Sequence, residues 1–222
     1  MPTTEIIFIR HGETEWNREN RFQGGTDIHL NEQGHEQARR VARRLAGLPV
    51  AALYCSDLTR ARQTAEPIAR ALGLSLSVEP ALRERSYGIF EGRTHEDMVR
   101  EFPDIYESWR LRDARYAIPG GGESLFALRE RVFGQMEQLA RRHAGQLVAA
   151  VTHGGVLDAV YRLVTATPGD IARTFPIPNA GINRIGWDGE RFAVIDWGDV
   201  AHLGSLTSVA TPHPGSPPPG LG

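Results

Sequence analysis

The sequence contains no lysine, so all 25 of its Lys and Arg positions are arginine. This absence excludes every mechanism that needs a lysine amine, such as a Schiff base with a carbonyl substrate. Arginine keeps its positive charge at physiological pH, and its planar fork of donors matches phosphate and carboxylate groups. Any cationic site in this chain that does not use histidine is therefore made of guanidinium groups.

Cysteine, long apolar runs and net charge are also scarce. The single cysteine, Cys55, cannot form an internal disulfide, which is typical of a reducing compartment. The sequence has no apolar run of about 18 residues and no basic segment leading into one at its start. We therefore expect a cytoplasmic protein without a membrane partner. The net charge of −2 gives no global electrostatic reason to expect a nucleic-acid partner.

Short apolar runs alternate with segments of helical periodicity along the chain, and this order predicts an α/β fold with a parallel sheet. Near the end, Asp188 and Gly189 separate two further strands that predict a hairpin. The predicted strands are residues 6–9, 51–55, 74–78, 146–151, 182–187 and 192–197. The predicted helices are residues 32–45, 57–72, 123–143 and 156–164.

The remaining segments indicate how the domain is organised. No linker interrupts the first 200 residues, so we expect a single domain over residues 1–203. Within it, residues 13–28 are predicted to form a polar loop. Residues 79–122 are rich in glycine and proline and predict a small cap-like insertion over a site. Residues 204–222 are rich in Gly, Pro and Ser and lack an apolar period, which predicts a flexible tail.

Two of the predicted strands end in a His-Gly pair. His11 follows the first strand, directly after Arg10, and His153 follows the strand at residues 146–151. The carboxyl ends of parallel strands meet at one edge of a sheet, so the two imidazoles are expected to face each other. A neutral imidazole beside a fixed cation suits nucleophilic attack on a phosphorylated substrate, whereas an isolated histidine of this kind is more often a structural residue.

A third cationic group is expected at the same edge. Arg60 lies in the first turn of the helix that follows the second strand, where it could bind phosphate oxygens in a bidentate manner. Taken alone, an arginine at this position is more often part of a surface ion pair. We expect no metal, because the sequence lacks metal-binding histidine spacings and a cysteine cluster, and because Arg10 would repel a cation next to His11.

Four motifs together resemble the histidine phosphatase superfamily, also called the phosphoglycerate-mutase-like family. They occur in the order found in that family and lie within residues 6–200. The resemblance implies a three-layer α/β/α sandwich with a mostly parallel central sheet and a small cap insertion. The motifs are Arg10-His11-Gly12-Glu13-Thr14 with Asn17, Ser56-Asp57-Leu58-Thr59-Arg60-Ala61, Leu82-Arg83-Glu84, and Thr152-His153-Gly154-Gly155.

The resemblance also implies a role for each matching residue. His11 would be the phosphorylated nucleophile, and Glu84 would donate a proton to the leaving alcohol and later activate water, although a salt bridge with a neighbouring arginine is the simpler reading of Glu84 alone. The residues expected to hold the phosphoryl oxygens are Arg10, Arg60 and His153. The residues expected to bind the rest of the substrate are Asn17, Gln23, Gly24, Tyr87 and Gly154. No cofactor is expected, and a homodimer is compatible with the resemblance.

The branch of the family is less clearly indicated than the site. Residues 84–88, Glu-Arg-Ser-Tyr-Gly, resemble the mutase branch. Gly24-Gly25 and the absence of lysine depart from that branch, and residues 119–124 resemble the phosphatases. We therefore favour a metal-independent phosphomonoesterase acting on a small phosphorylated metabolite. A cofactor-dependent phosphoglycerate mutase and a non-catalytic phosphate-binding module remain the alternatives.

Overall fold

The computed structural model describes residues 3–207, and this part of the chain contains six strands and seven α-helices. The strands are β1 (Thr4–Arg10), β2 (Val50–Cys55), β3 (Leu76–Val78), β4 (Leu147–Thr152), β5 (Ile182–Trp187) and β6 (Phe192–Asp199). The helices are α1 (Glu15–Arg18), α2 (Glu32–Leu45), α3 (Thr59–Leu72), α4 (His95–Glu101), α5 (Pro103–Arg110), α6 (Leu125–Arg142) and α7 (Gly154–Thr165). No helix among the described residues is long and apolar enough to cross a membrane.

The six strands form one sheet in the order β3-β2-β4-β1-β5-β6. The pairs β3–β2, β2–β4 and β4–β1 are parallel, whereas β5 runs antiparallel to both β1 and β6. The predicted parallel sheet and the predicted hairpin are therefore both confirmed. Because β1 and β4 are adjacent and central, the two His-Gly pairs leave the sheet side by side.

Successive side chains of β1 point to opposite faces of the sheet, and those on both faces are buried. This is the pattern of a strand that is covered on both sides. Ile6 and Phe8 pack into a core that includes the apolar stripes of α6 and α7. Ile7 and Ile9 pack into a second core with α2 and α3. Helices thus cover both faces, and the predicted three-layer sandwich is confirmed.

The insertion over residues 79–122 contains α4, α5 and two short 3-10 helices, Pro80–Leu82 and Gly88–Phe90. It has a small apolar core of its own, in which the aromatic rings meet edge to face. The buried residues of this core are Phe22, Tyr87, Phe90, Met98, Trp109 and Ile118. Phe22 comes from the loop before α2, so this core joins the insertion to the loop beside β1.

Two segments differ from the sequence-based expectation. The loop predicted over residues 13–28 contains α1, which begins with a capping box: the Thr14 side chain accepts the Asn17 N–H, and the Asn17 side chain accepts the Thr14 N–H. Residues 204–206, expected to begin the tail, form a 3-10 helix, and the Gln37 side chain donates to the Leu206 carbonyl. The rest of the predicted tail, residues 208–222, lies outside the described residues.

Candidate active site

The site is built at the point where β1 and β4 end. Arg10 pairs with Thr152 in the parallel ladder, and the His11 N–H continues that ladder to the Thr152 carbonyl at 2.9 Å. The next residue on each strand is a histidine. The rings of His11 and His153 have centroids 5.1 Å apart and are tilted by 56°. The structure therefore brings the two predicted histidines together.

One hydrogen bond determines which nitrogen of His11 can react. Nδ1 lies 2.7 Å from the carbonyl oxygen of Gly12, and a carbonyl can only accept. Nδ1 therefore carries the proton, and Nε2 keeps its lone pair. Gly12 is held by its N–H, which donates to Thr64 Oγ1 at 3.0 Å. A side chain at position 12 would begin 2.5 Å from the Gly34 carbonyl oxygen, so only glycine lets this segment lie against α2.

Two arginines, the buried Arg60 and the half-buried Arg10, lie beside the histidines. Arg10 donates through Nη1 to the Ile177 carbonyl, and Arg60 donates through its two terminal nitrogens to the Thr26 and Gly24 carbonyls, each at 2.8 Å. Within the described part of the chain, Nε of both arginines and both ring nitrogens of His153 are buried without a hydrogen-bond partner. Such unpaired polar groups are costly to bury, so they indicate a site for an anionic ligand.

Burial and positive charge keep both histidines neutral. Burial, followed by the charges of Arg60 and Arg10, lowers the pKa of His11 well below 6.5. Burial, Arg60, His11 and Arg10 lower the pKa of His153 in the same way. Burial also lowers the pKa of Arg60, to about 10, which still leaves it charged at neutral pH. The site thus places two cationic guanidinium groups beside two neutral imidazoles.

In the phosphate-free protein, we expect His11 and His153 to stay neutral at pH 6.5 and to take up protons only at lower pH. The unfolded chain takes up these protons near pH 6.5. The contribution of the neutral rings to the free energy of unfolding is therefore complete above pH 6.5 and is lost as the pH falls below it. Imidazole nitrogen chemical shifts, followed from about pH 8 to about pH 4, measure both pKa values.

Added inorganic phosphate is expected to raise both pKa values, because a nearby anion favours the imidazolium. A ring that is half protonated at or above pH 6.5 without phosphate would contradict this electrostatic description.

Glu84 is held next to the histidines by backbone groups. Its carboxylate accepts the Gly155 N–H at 3.0 and 3.1 Å and the Arg85 N–H at 2.8 Å. Gly155 is in the first turn of α7, directly after His153 and Gly154. A Cβ on Gly155 would lie 2.5 Å from Glu84 Oε1, so a glycine is needed for the carboxylate to approach the helix. The salt bridges with Arg83 or Arg85 that the sequence allowed do not form: Arg83 pairs with Asp57 instead.

The other predicted residues lie around this centre in different ways. The Asn17 side chain completes the capping box of α1 and accepts a hydrogen bond from Asn179 at 3.1 Å. Gln23 Oε1 is buried without a partner in the described part of the chain, and the Gly24 carbonyl accepts from Arg60. A Cβ on Gly154 would lie 3.6 Å from Arg10 Nε, so Gly154 lies beside the Arg10 guanidinium. Tyr87 is set further out, in the apolar core of the insertion.

Residues that the sequence did not single out also build the site. Asn179, in the loop before β5, donates to the His11 carbonyl at 3.1 Å and to the Gly12 carbonyl at 3.4 Å. Thr64 and Glu91 support Gly12 and the loop around Gly25. The only sequence signal for Asn179 is a polar residue in a Pro-Asn-Ala-Gly turn, and this signal does not distinguish a site residue from an ordinary loop.

A cleft leads from Gly155 along the inner side of the insertion. Its walls carry two arginines from the insertion, Arg85 and Arg112, and the Asp158 carboxylate from α7. Arg85 donates Nε to the Glu123 carbonyl and Arg112 donates Nε to the Gly169 carbonyl, so both guanidinium groups are fixed in place. The remaining lining residues are Tyr87, Trp109, Asp113, Tyr116, Leu125 and Leu128.

The chain is similar to known proteins over most of its length. A family model described as histidine phosphatase superfamily (branch 1) matches residues 6–200. The chain is 38% identical over 206 residues to the metal-independent phosphoserine phosphatase of Arabidopsis thaliana, covering 91% of this chain and 84% of that protein. It is 36% identical over 203 residues to phosphoglycerate mutase-like protein 4 of the same plant, covering 90% and 86%.

Among solved structures, the chain is similar to the phosphoserine phosphatase of Entamoeba histolytica in complex with 3-phosphoglyceric acid. The TM-score is 0.81 at 26% sequence identity, and the match covers 90% of this chain and 99% of that one. These similarities extend over the sheet, both helical layers and the insertion.

Proposed function

The chain belongs to the histidine phosphatase superfamily and is a phosphomonoesterase of that type, and we propose that it transfers the phosphoryl group of its substrate first to His11 and then to water. The observation that carries this proposal is the hydrogen bond from His11 Nδ1 to the Gly12 carbonyl, which leaves Nε2 unprotonated beside the unpaired donors of Arg10, Arg60 and His153.

In the first step, the lone pair of His11 Nε2 attacks phosphorus, and the bond from phosphorus to the ester oxygen breaks. The leaving alkoxide takes its proton from the Glu84 carboxyl group, so the alcohol departs neutral. In the second step, Glu84 removes a proton from water, the resulting hydroxide attacks phosphorus, and the bond to Nε2 breaks. Inorganic phosphate leaves, and His11 and Glu84 return to their starting states. No metal takes part in either step of this scheme.

Arg10, Arg60 and His153 stabilise the charge on the phosphoryl oxygens during both steps. Such donors stabilise a transferring phosphoryl group most effectively when they are fixed in place before the reaction. The hydrogen bonds of Arg10 to the Ile177 carbonyl and of Arg60 to the Gly24 and Thr26 carbonyls supply this fixation. Asn17, Gln23, Gly24 and Gly154 complete the rim of the phosphate pocket.

We assign the substrate to phosphomonoesters whose alcohol carries a carboxylate. The support is the cleft next to Glu84, where Arg85 and Arg112 stand at the wall that the alcohol would reach. Two of the similar proteins are named for phosphoserine, and one of these is in complex with 3-phosphoglyceric acid. Tyr87 lines the same cleft and would contact the alcohol.

A cytoplasmic location is also part of the proposal. It is supported by the single cysteine, Cys55, which has no partner for an internal disulfide.

Paired substrates that differ only in the carboxylate test this assignment. Release of inorganic phosphate is measured, with EDTA present, from 3-phosphoglycerate against glycerol 3-phosphate and from phosphoserine against phosphoethanolamine. We expect kcat/KM to be about tenfold or more higher for the carboxylate-bearing member of each pair. A substrate carboxylate would bind the guanidinium groups of Arg85 and of Arg112, which lies 3.9 Å from Asp158 Oδ2. Equal values within both pairs would refute the substrate class while leaving the phosphatase intact.

The same assay separates the alternative functions. The similarity to a phosphoglycerate mutase-like protein is the reason to test for mutase activity as well. The protein is incubated with 3-phosphoglycerate and a 2,3-bisphosphoglycerate primer, and the formation of 2-phosphoglycerate is measured. Isomerisation with little phosphate release would replace the phosphatase proposal by a mutase. Phosphate binding without either product would indicate a binding module, and loss of release in EDTA would contradict the metal-independent mechanism.

A further inference from the structure

Glu91 is a carboxylate of the insertion that takes no part in the chemistry described above, yet it accepts hydrogen bonds from five donors. Oε1 accepts the backbone N–H groups of Gly25 and Tyr87, each at 3.0 Å, and the Ser86 hydroxyl at 3.3 Å. Oε2 accepts both the backbone N–H of Thr26, at 3.0 Å, and its hydroxyl, at 2.6 Å. The carboxylate therefore joins the insertion to the loop at residues 23–26.

The same loop is held from its other side by Arg60. The guanidinium binds the carbonyl groups of Gly24 and Thr26, while Glu91 binds the N–H groups of Gly25 and Thr26. The loop thus lies between the Arg60 guanidinium on α3 and the Glu91 carboxylate on the insertion. Its backbone connects these two charged groups by hydrogen bonds.

Gly24 shows how closely this arrangement is packed. Its φ of +52° is in the left-handed region, and a Cβ at this position would lie 2.0 Å from Glu91 Oε1. The carboxylate occupies the space that a side chain would need, so both the conformation and the contact require glycine here. Glu91 also attracts the Arg60 guanidinium electrostatically and favours its charged form.

We propose that Glu91 is a positioning residue that holds the loop at residues 23–26, and through it the Arg60 guanidinium, in the geometry that binds the phosphoryl group. This inference rests on the proposed function of Arg60. It makes the insertion a structural part of the phosphate pocket, in addition to its role in lining the cleft for the alcohol.

The Glu91→Gln variant tests the inference because it keeps the size of the side chain but removes its charge. One carboxylate oxygen becomes an NH2 donor that faces donors at Gly25, Tyr87 or Thr26, so part of the network must break. The matched control is Glu101→Gln, a glutamate of the same insertion whose ion pairs, with Arg93 and Arg100, are exposed. Both variants lose one negative charge within the same segment.

For each protein, the Kd of inorganic phosphate is measured by calorimetry, together with the Tm and with kcat and KM for p-nitrophenyl phosphate. We expect Glu91→Gln to weaken phosphate binding about tenfold or more and to raise KM, because hydrogen bonds to charged groups are worth more than neutral ones. Glu101→Gln is expected to match the unsubstituted protein. A purely structural role would lower the Tm or the active fraction and leave Kd and KM unchanged.

Unchanged Kd and KM in folded Glu91→Gln would overturn the inference. If that variant does not fold, Thr26→Val provides the second test: it removes the hydroxyl that binds Oε2, retains the Thr26 N–H, and is expected to weaken phosphate binding in the same direction. Wild-type Kd and KM in Thr26→Val would then overturn the inference. Failure of the proposed function looks different, since the unsubstituted protein would then fail to release phosphate from its substrates.

Discussion

Replacing Glu84 by Gln is expected to lower kcat for alkyl phosphomonoesters by about 10²-fold to 10⁴-fold, the usual range for loss of a positioned general acid or base. Glutamine has the same size and can still accept the Gly155 N–H, so the segment should keep its place. It cannot give a proton to an alkoxide or take one from water. With p-nitrophenyl phosphate, whose leaving group needs no proton, phosphoryl transfer to His11 should remain fast while hydrolysis of the phosphoenzyme slows.

The leaving group therefore serves as an internal control within one variant. Rapid-quench measurements should show a burst of p-nitrophenol in Glu84→Gln, followed by slow turnover, and no comparable burst of alcohol from an alkyl ester. Equal losses in the transfer step for the two leaving groups would show that Glu84 is not the acid.

Replacing His11 by Ala is expected to reduce phosphate release by about 10⁵-fold, similar to the loss of a catalytic nucleophile in other covalent mechanisms. The variant should still bind inorganic phosphate, because the hydrogen bonds that hold Arg10 and Arg60 go to backbone carbonyls and do not involve the His11 side chain. Activity and phosphate affinity are measured on the same preparation. His29→Ala, which removes an exposed imidazole that contacts Gln63, is the matched control and should retain activity.

Activity of His11→Ala within tenfold of the unsubstituted protein would remove His11 from the role of nucleophile. Loss of phosphate binding in this variant would instead indicate that the ring organises the pocket, in which case the activity loss alone could not identify a covalent step.

The strands of the sheet could be predicted from the sequence because each strand is marked by a local pattern of apolar residues. Residues 6–9 and 147–151 are short apolar runs with polar residues at their ends, and both lie in the centre of the observed sheet. Once two such strands are parallel and adjacent, the residues that follow them must meet at one edge. The approach of His11 to His153 follows from this topology, and the position of Arg60 at the start of the next helix follows from the same order of elements.

The supporting contacts could not be predicted in this way, since they join segments that are far apart in the chain. Asn179 reaches the His11 carbonyl across 168 positions, and Glu91 reaches Gly25 across 66. Neither residue stands in a periodic pattern, and each could equally have been a solvated loop residue. α1 was missed for another reason: it has only four residues, and its capping box, with Asn at the third helical position, lies in a segment that otherwise has loop composition.

The phosphohistidine itself is the central claim, and trapping it is the most direct test. The protein is mixed with p-nitrophenyl phosphate, quenched in alkali so that a phosphorus–nitrogen bond survives, digested, and mapped by mass spectrometry. We expect one phosphoryl group per chain, on the peptide that contains His11, accumulating in Glu84→Gln and absent from His11→Ala. A phosphoryl group on any other residue, or no phosphoenzyme during turnover of Glu84→Gln, would contradict the account.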